Sequence, residues 1–205
     1  MSRILNKIRK ILFYFIKKAS YTFFVIMRLD KATGFKIEKT PYIFERLGTE
    51  YGGWTIPSGI LKEGDTCYTV GAGEDISFDC LLAEKFSCEV YIFDPTPRAI
   101  KHYQLLKKMI EGDEKMPINN SPAHYSINKT ALKYVHYLPI GIWKENGIQK
   151  FYAPKKKGWV SHAITKTQNT DEYFEAECKT IKTIMNELGH QKLDLLKLDV
   201  EGAEY

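Results

Sequence analysis

The sequence predicts an α/β fold, a parallel sheet with helices on both faces. Three observations carry this. Strand-like and helix-like segments alternate along most of the chain, which favours parallel strands joined by crossover helices. A short apolar run, Cys67 to Val70, ends in Gly71-Ala72-Gly73 and leads into a helical pattern. The next strand-like run closes on Asp94, 21 residues after Gly73. Glycines directly after a strand let the backbone turn sharply and approach a ligand.

Taken in order, Pro41, Gly48, Gly52, Gly53 and Pro57 punctuate the start of the domain, and Tyr51 to Trp54 reads as a loop. Cys67–Val70 is the first core strand. A helix is expected from about Ile76 to Lys85, with Ile76, Phe78, Leu81, Leu82 and Phe86 roughly on one side. Glu89–Phe93 is the second strand, ended by Asp94-Pro95 because proline has no N–H for a ladder. Arg98–Ile110 reads as helix and 111–123 as loop. Tyr134–Ile142 is a third strand weakened in its second half by Pro139, and Gln149–Tyr152 a short peripheral one. Segment 154–172 is loop-rich. Thr180–Leu188 is helical and stops at Gly189, and Leu193–Val200 is the fourth core strand.

Charge separates two regions. Residues 1–39 hold ten Lys/Arg against Asp30 and Glu38, a net +8, so the remaining residues carry −3 of a total of +5. The expected organisation is a basic arm, 1–39, and a domain, 40–205. A slightly acidic body gives no electrostatic reason to expect nucleic acid. In the arm, Ile4, Leu5, Ile8, Ile11, Leu12 and Phe15 follow helical spacing, and a second apolar run covers Tyr21 to Met27. Lys17 and Lys18 separate the runs. A spanning helix would place both near its centre, at about 2.5–3.5 kcal/mol each. Residues 28–31 do not resemble a signal-peptidase site. Peripheral contact of residues 3–27 with an anionic membrane surface fits the composition best. A helix packed on the domain and a spanning anchor are the alternatives. Cys67, Cys80, Cys88 and Cys178 form no CxxC pair, which suits free thiols in the reducing cytoplasm.

Chemistry gathers at strand ends. Ligands of open parallel sheets bind at the carboxyl ends of the strands. Gly71-Ala72-Gly73 lies at one such end, though a lone GxG also makes a plain tight turn. Asp94 lies at another, where a carboxylate can accept both hydroxyl protons of a ribose or simply close an Asx-Pro turn. The fourth strand delivers Asp199 and Glu201. Such a pair can take a proton from a hydroxyl or hold a divalent cation. The alternative is capping of a following helix. His162 offers a general base, against the ordinary reading of a solvated histidine. His136 is weighed the same way.

Four stretches carry a family resemblance: Val70 to Asp79, Phe93-Asp94-Pro95-Thr96-Pro97, Val160-Ser161-His162-Ala163, and Leu196 to Glu204. Together they resemble the FkbM-like methyltransferases, from about Tyr51 to the last residue. The resemblance implies a Rossmann-like class I methyltransferase fold, S-adenosylmethionine as donor and an oxygen acceptor. Sugars and glycan-related molecules are the implied small-molecule acceptors. By position, Gly71, Ala72 and Gly73 would line the methionine end of the cofactor, Asp94 would bind the ribose, and Gly141 and Ile142 would face adenine. Asp199 would lie near the transferred methyl. Thr69 stands where many relatives carry an acid, so Glu74 or Asp75 would have to meet the cofactor ammonium. The resemblance also implies further strands after the fourth, so the fold is expected to be truncated there. The fourth strand would then be an exposed edge, leaving room for a partner or an oligomer. Two other readings compete: a nicotinamide-dependent oxidoreductase, disfavoured by the missing third glycine, and a non-catalytic membrane-surface protein.

Overall fold

Thr66–Val70 (Thr-Cys-Tyr-Thr-Val) mixes β-branched and aromatic residues, and everything after Thr66 is buried. A strand covered on both faces reads as an unbroken run, as parallel central strands do. In the computed structural model this segment is the centre of the molecule. The structure describes residues 41–119, 122–154, 164 and 170–200. The chain divides into two compact units, 1–42 and 43–205, and the second is described below. The expectations for the basic arm, for His162 and for Glu201 lie outside the described residues.

A hairpin comes first, β1 (Phe44–Leu47) and β2 (Trp54–Pro57), paired antiparallel. Then β3 (Thr66–Val70) leads to α1 (Ser77–Phe86), β4 (Glu89–Phe93) and α2 (Pro97–Glu111). A short α3 (Lys129–Leu132) precedes β5 (Val135–Leu138) and β6 (Gly141–Ile142). They are followed by β7 (Gly147–Tyr152), β8 (Tyr173–Lys179), α4 (Ile181–Leu188) and β9 (Leu195–Leu198).

The central sheet is parallel throughout, in the order β5-β4-β3-β9. From β3 the chain steps outward to β4 and β5, then returns to place β9 on the opposite flank. The direction of winding reverses between β3 and β9. This is the Rossmann-like α/β architecture that the sequence predicted. Cys67, Val90 and Ile92 pack with Phe78 and Leu82 of α1, Leu106 of α2 and Leu132 of α3. A second cluster joins Tyr68, Val70 and Phe93 to Ile184 of α4.

Local chemistry sets the helix ends. Pro97 sits in the first turn of α2, where its missing N–H costs no bond. The Thr180 hydroxyl accepts the Thr183 N–H at the start of α4, and Gly189 ends it at φ +75°.

Two expectations change. The third strand does not run on from Tyr134 to Ile142. It breaks at Pro139 into β5, in the central sheet, and β6, which pairs with β8 in a second sheet ordered β6-β8-β7. Pro139 has no N–H for the ladder, so the strand changes partner there. The Tyr51–Trp54 loop ends one residue early, because Trp54 opens β2.

All four cysteines are buried free thiols. Among the described residues no helix is long and apolar enough to cross a membrane.

Candidate active site

The carboxyl ends of β3, β4 and β9 meet at the switch in winding, where open α/β sheets hold ligands. Gly71 follows β3 at φ +82° and its N–H donates to the Phe93 carbonyl at 3.0 Å. A Cβ added here would stand 2.0 Å from the Asp199 carbonyl oxygen. Only glycine allows β3 and β9 to close this tightly. Gly73, at φ +56°, completes the turn.

Asp94 ties the loops together. Its Oδ2 accepts the N–H groups of Ala72 at 2.8 Å and Gly73 at 2.9 Å, and its Oδ1 that of Thr96 at 2.8 Å. The side chain is buried. The Asx turn of the sequence reading is present, and the same carboxylate also braces the glycine loop. The Tyr137 hydroxyl donates to the Asp94 carbonyl at 2.8 Å, adding β5 to the network.

The two acids after the glycine loop are each engaged. Glu74 accepts from Arg98 of α2 in a two-point pair, from Nε at 3.2 Å and from Nη2. Asp75 is buried, accepting from the Thr49 hydroxyl at 2.5 Å and the Ser77 N–H at 3.0 Å. Thr49 belongs to the β1–β2 turn, and its N–H donates to Ser77 Oγ at 2.9 Å. Asp75 thus clamps the hairpin onto the start of α1.

On β9, the Lys197 ammonium donates to the carbonyls of Gly71 at 2.6 Å and Val70 at 3.2 Å. It lies 3.8 Å from Asp199 Oδ2 and 5.3 Å from the centre of the Trp54 ring. Asp199 itself is exposed. Beneath the loop, burial pushes the Asp79 carboxyl above its usual range, opposed by the Lys197 charge and the Thr69 hydroxyl.

These residues surround a cavity of about 630 Å³. Gly71, Ala72, Gly73, Glu74, Asp75, Asp94, Gly141, Ile142 and Asp199 all line it. Gly141 admits no side chain, since a Cβ would lie 2.5 Å from Cys178 Sγ and 2.7 Å from Phe151 Cζ. Thr69 is buried and does not line the cavity. His136 does not line it either, and pairs with Glu89 at the amino end of β4 (2.7 Å). No group of three or more His, Cys, Asp or Glu arranged to hold a metal occurs among the described residues. Sequence reasoning missed Arg46, Tyr51, Trp54, Phe151 and Lys197, which also line the cavity. Lys197 was legible as a charge inside an apolar strand. The hairpin residues gave no comparable signal.

A family model for the FkbM methyltransferase domain matches residues 69–205. No curated protein and no solved structure matches the chain.

Proposed function

The chain belongs to the FkbM methyltransferase domain family, and from that membership we propose that it moves a methyl group from S-adenosylmethionine to a hydroxyl of a sugar or glycan-related acceptor. One observation carries the donor assignment. Every position expected at the cofactor from the sequence lines one cavity at the switch between β3 and β9.

The residues suit the donor. A volume of about 630 Å³ falls within the range of cofactor pockets, roughly 300–1,000 Å³. The glycine loop brings bare backbone against the cavity at Gly71. In this reading Gly71, Ala72 and Gly73 hold the methionine end, and Asp94 receives the ribose on the lone pairs its amide contacts leave. Gly141 and Ile142 face the adenine. Glu74 or Asp75 meets the ammonium group, since Thr69 carries no charge and does not line the cavity.

When bound, the donor supplies an electrophilic methyl on a positively charged sulfur. The protein's part is alignment of the acceptor oxygen, which can supply a large share of such a rate enhancement, and removal of its proton. In this reading Asp199 takes that proton, supported by its position in the cavity lining, 3.8 Å from the Lys197 ammonium. His162 is the second candidate base. Glu201 would join Asp199 if a divalent cation took part.

Calorimetric titration with S-adenosylhomocysteine, with NAD as control, tests the donor assignment. Binding of S-adenosylhomocysteine alone is expected. Binding of NAD instead would replace this reading with a redox one. We propose in addition that residues 3–27 rest on anionic membrane surfaces. Co-sedimentation with phosphatidylserine vesicles should then fall sharply on deletion of residues 1–39 and with rising salt. Equal pelleting of both forms would refute it.

A further inference from the structure

We infer that the β1–β2 hairpin is the acceptor-selecting element of this site, and that it selects a ring bearing an anionic oxygen group, a carboxylate or a phosphate. The inference rests on the methyltransferase reading above and adds to it the acceptor's charge and the residues that read it.

The cavity has two sides of different origin. The loops after β3 and β4 lie within the family-matched stretch, which begins at residue 69. The hairpin precedes that stretch, yet it gives the cavity Arg46, Tyr51, Trp54 and Thr55. It is held in place by the Thr49 contacts to Asp75 and Ser77, and so faces the site as a fixed wall.

Among the described residues of the hairpin, Arg46 alone brings a charged side chain to the cavity. On the opposite side Glu74 pairs with Arg98, while Asp75 and Asp94 are held by a hydroxyl and by backbone amides that satisfy their hydrogen bonds and leave their negative charge in place. Among the described residues Arg46 meets carbonyls alone, donating from Nη2 to Glu50 at 2.9 Å and Thr49 at 3.2 Å. It forms no ion pair among the described residues. A guanidinium has five N–H donors in a planar fork suited to carboxylate or phosphate oxygens, and these contacts occupy one of its nitrogens. Lys197 also lies near the Trp54 ring, but its charge is shared with Asp199 at 3.8 Å.

Two aromatic side chains stand beside this charge. Tyr51 is 77% exposed and Trp54 38% exposed, both at the cavity. Tyr and Trp combine a broad apolar face with a polar tip, which suits them to contact with a ligand ring. A ring with one apolar face and polar edges fits a Tyr or Trp plate with Arg46 at its rim. A neutral chain-like acceptor would use neither feature.

The test uses the full chain saturated with S-adenosylhomocysteine and three probes followed by saturation-transfer NMR: methyl glucuronide, glucose 6-phosphate and neutral methyl glucoside. The parent should bind at least one charged probe about tenfold more tightly than the neutral one. The preferred probe identifies carboxylate or phosphate as the group read. Arg46→Gln should bring that ratio to about one, while Arg46→Lys keeps part of it. Tyr51→Ala should weaken all probes alike, and Tyr51→Phe should leave them unchanged. Thermal unfolding of each variant reports whether the hairpin stays folded. Equal binding of charged and neutral probes by the parent overturns the inference. So does a preference that survives in Arg46→Gln. Affinity for S-adenosylhomocysteine, measured alongside, judges the donor assignment separately. Its absence with charge selection intact would sink the donor reading alone, and its presence without charge selection would sink this inference alone.

Discussion

Gly71 is the position where a single added carbon has the most to collide with. Its φ of +82° is strained for any L side chain, and the Asp199 carbonyl fills the space a Cβ would need. Gly71→Ala should therefore cost about 2–4 kcal/mol, lowering the melting temperature by roughly 5–12 °C. Binding of S-adenosylhomocysteine should fall with it, because relief of the clash must separate β9 from the glycine loop. A variant that melts and binds like the parent would refute the close approach. Asp79 yields a prediction of different form. Burial raises its folded-state pKa above the unfolded value of 3.8. The stability it contributes is thus fully present below that unfolded value and is lost as pH rises through the raised folded value. Asp79→Asn removes the titration. The variant should gain on the parent in thermal unfolding as pH climbs from 3.5 to 7, and the gap should close again at the acid end. A difference constant with pH would show that Asp79 does not titrate as argued.

At the scale of elements, sequence legibility followed the strength of the local signal. The span of β4 was read without error, because four strand-forming residues, Val90 to Phe93, run straight into Asp94-Pro95. The end of α4 was legible from Gly189, and α2 to within a residue at each end. The hairpin was missed because its strands have four residues each and little alternation. Strand β8 was missed for a related reason. Tyr173 to Lys179 alternates, but Glu175 and Glu177 flank the small Ala176, so the run lacks a continuous face of large apolar side chains and the sequence reading leaves it unassigned. The break between β5 and β6 was half legible. Pro139 marked the weak point, but only pairing in three dimensions shows that the chain changes sheets there. In the site, residues announced by glycine or by an acid at a strand end were found. Those contributed by the hairpin came from an element that had not been recognised.

For the molecule as a whole, the sheet is dressed unevenly. Helices α1, α2 and α3 build the larger cluster, while α4 supplies Ile184 to the smaller one. Tyr68 of that second cluster continues into a group of rings, Tyr91 stacked on His136 and His190 set at an angle to both tyrosines, and the Tyr68 hydroxyl meets His190 Nδ1 at 2.7 Å. Burial holds His190 below its usual pKa. The site draws on both halves of this arrangement, since β3 feeds the glycine loop while β9 brings Lys197 and Asp199.

The Asp94 network has a consequence for the rate of ligand capture. Three amides and a tyrosine hydroxyl fix the glycine loop and the β4 turn to each other with the cavity open. Ordering a loop during association costs entropy and slows productive encounters. Here the glycine loop and the β4 turn are already held to each other, so a molecule arriving at the β3–β9 crevice meets these two loops in place, and ordering them takes nothing from the rate of its capture.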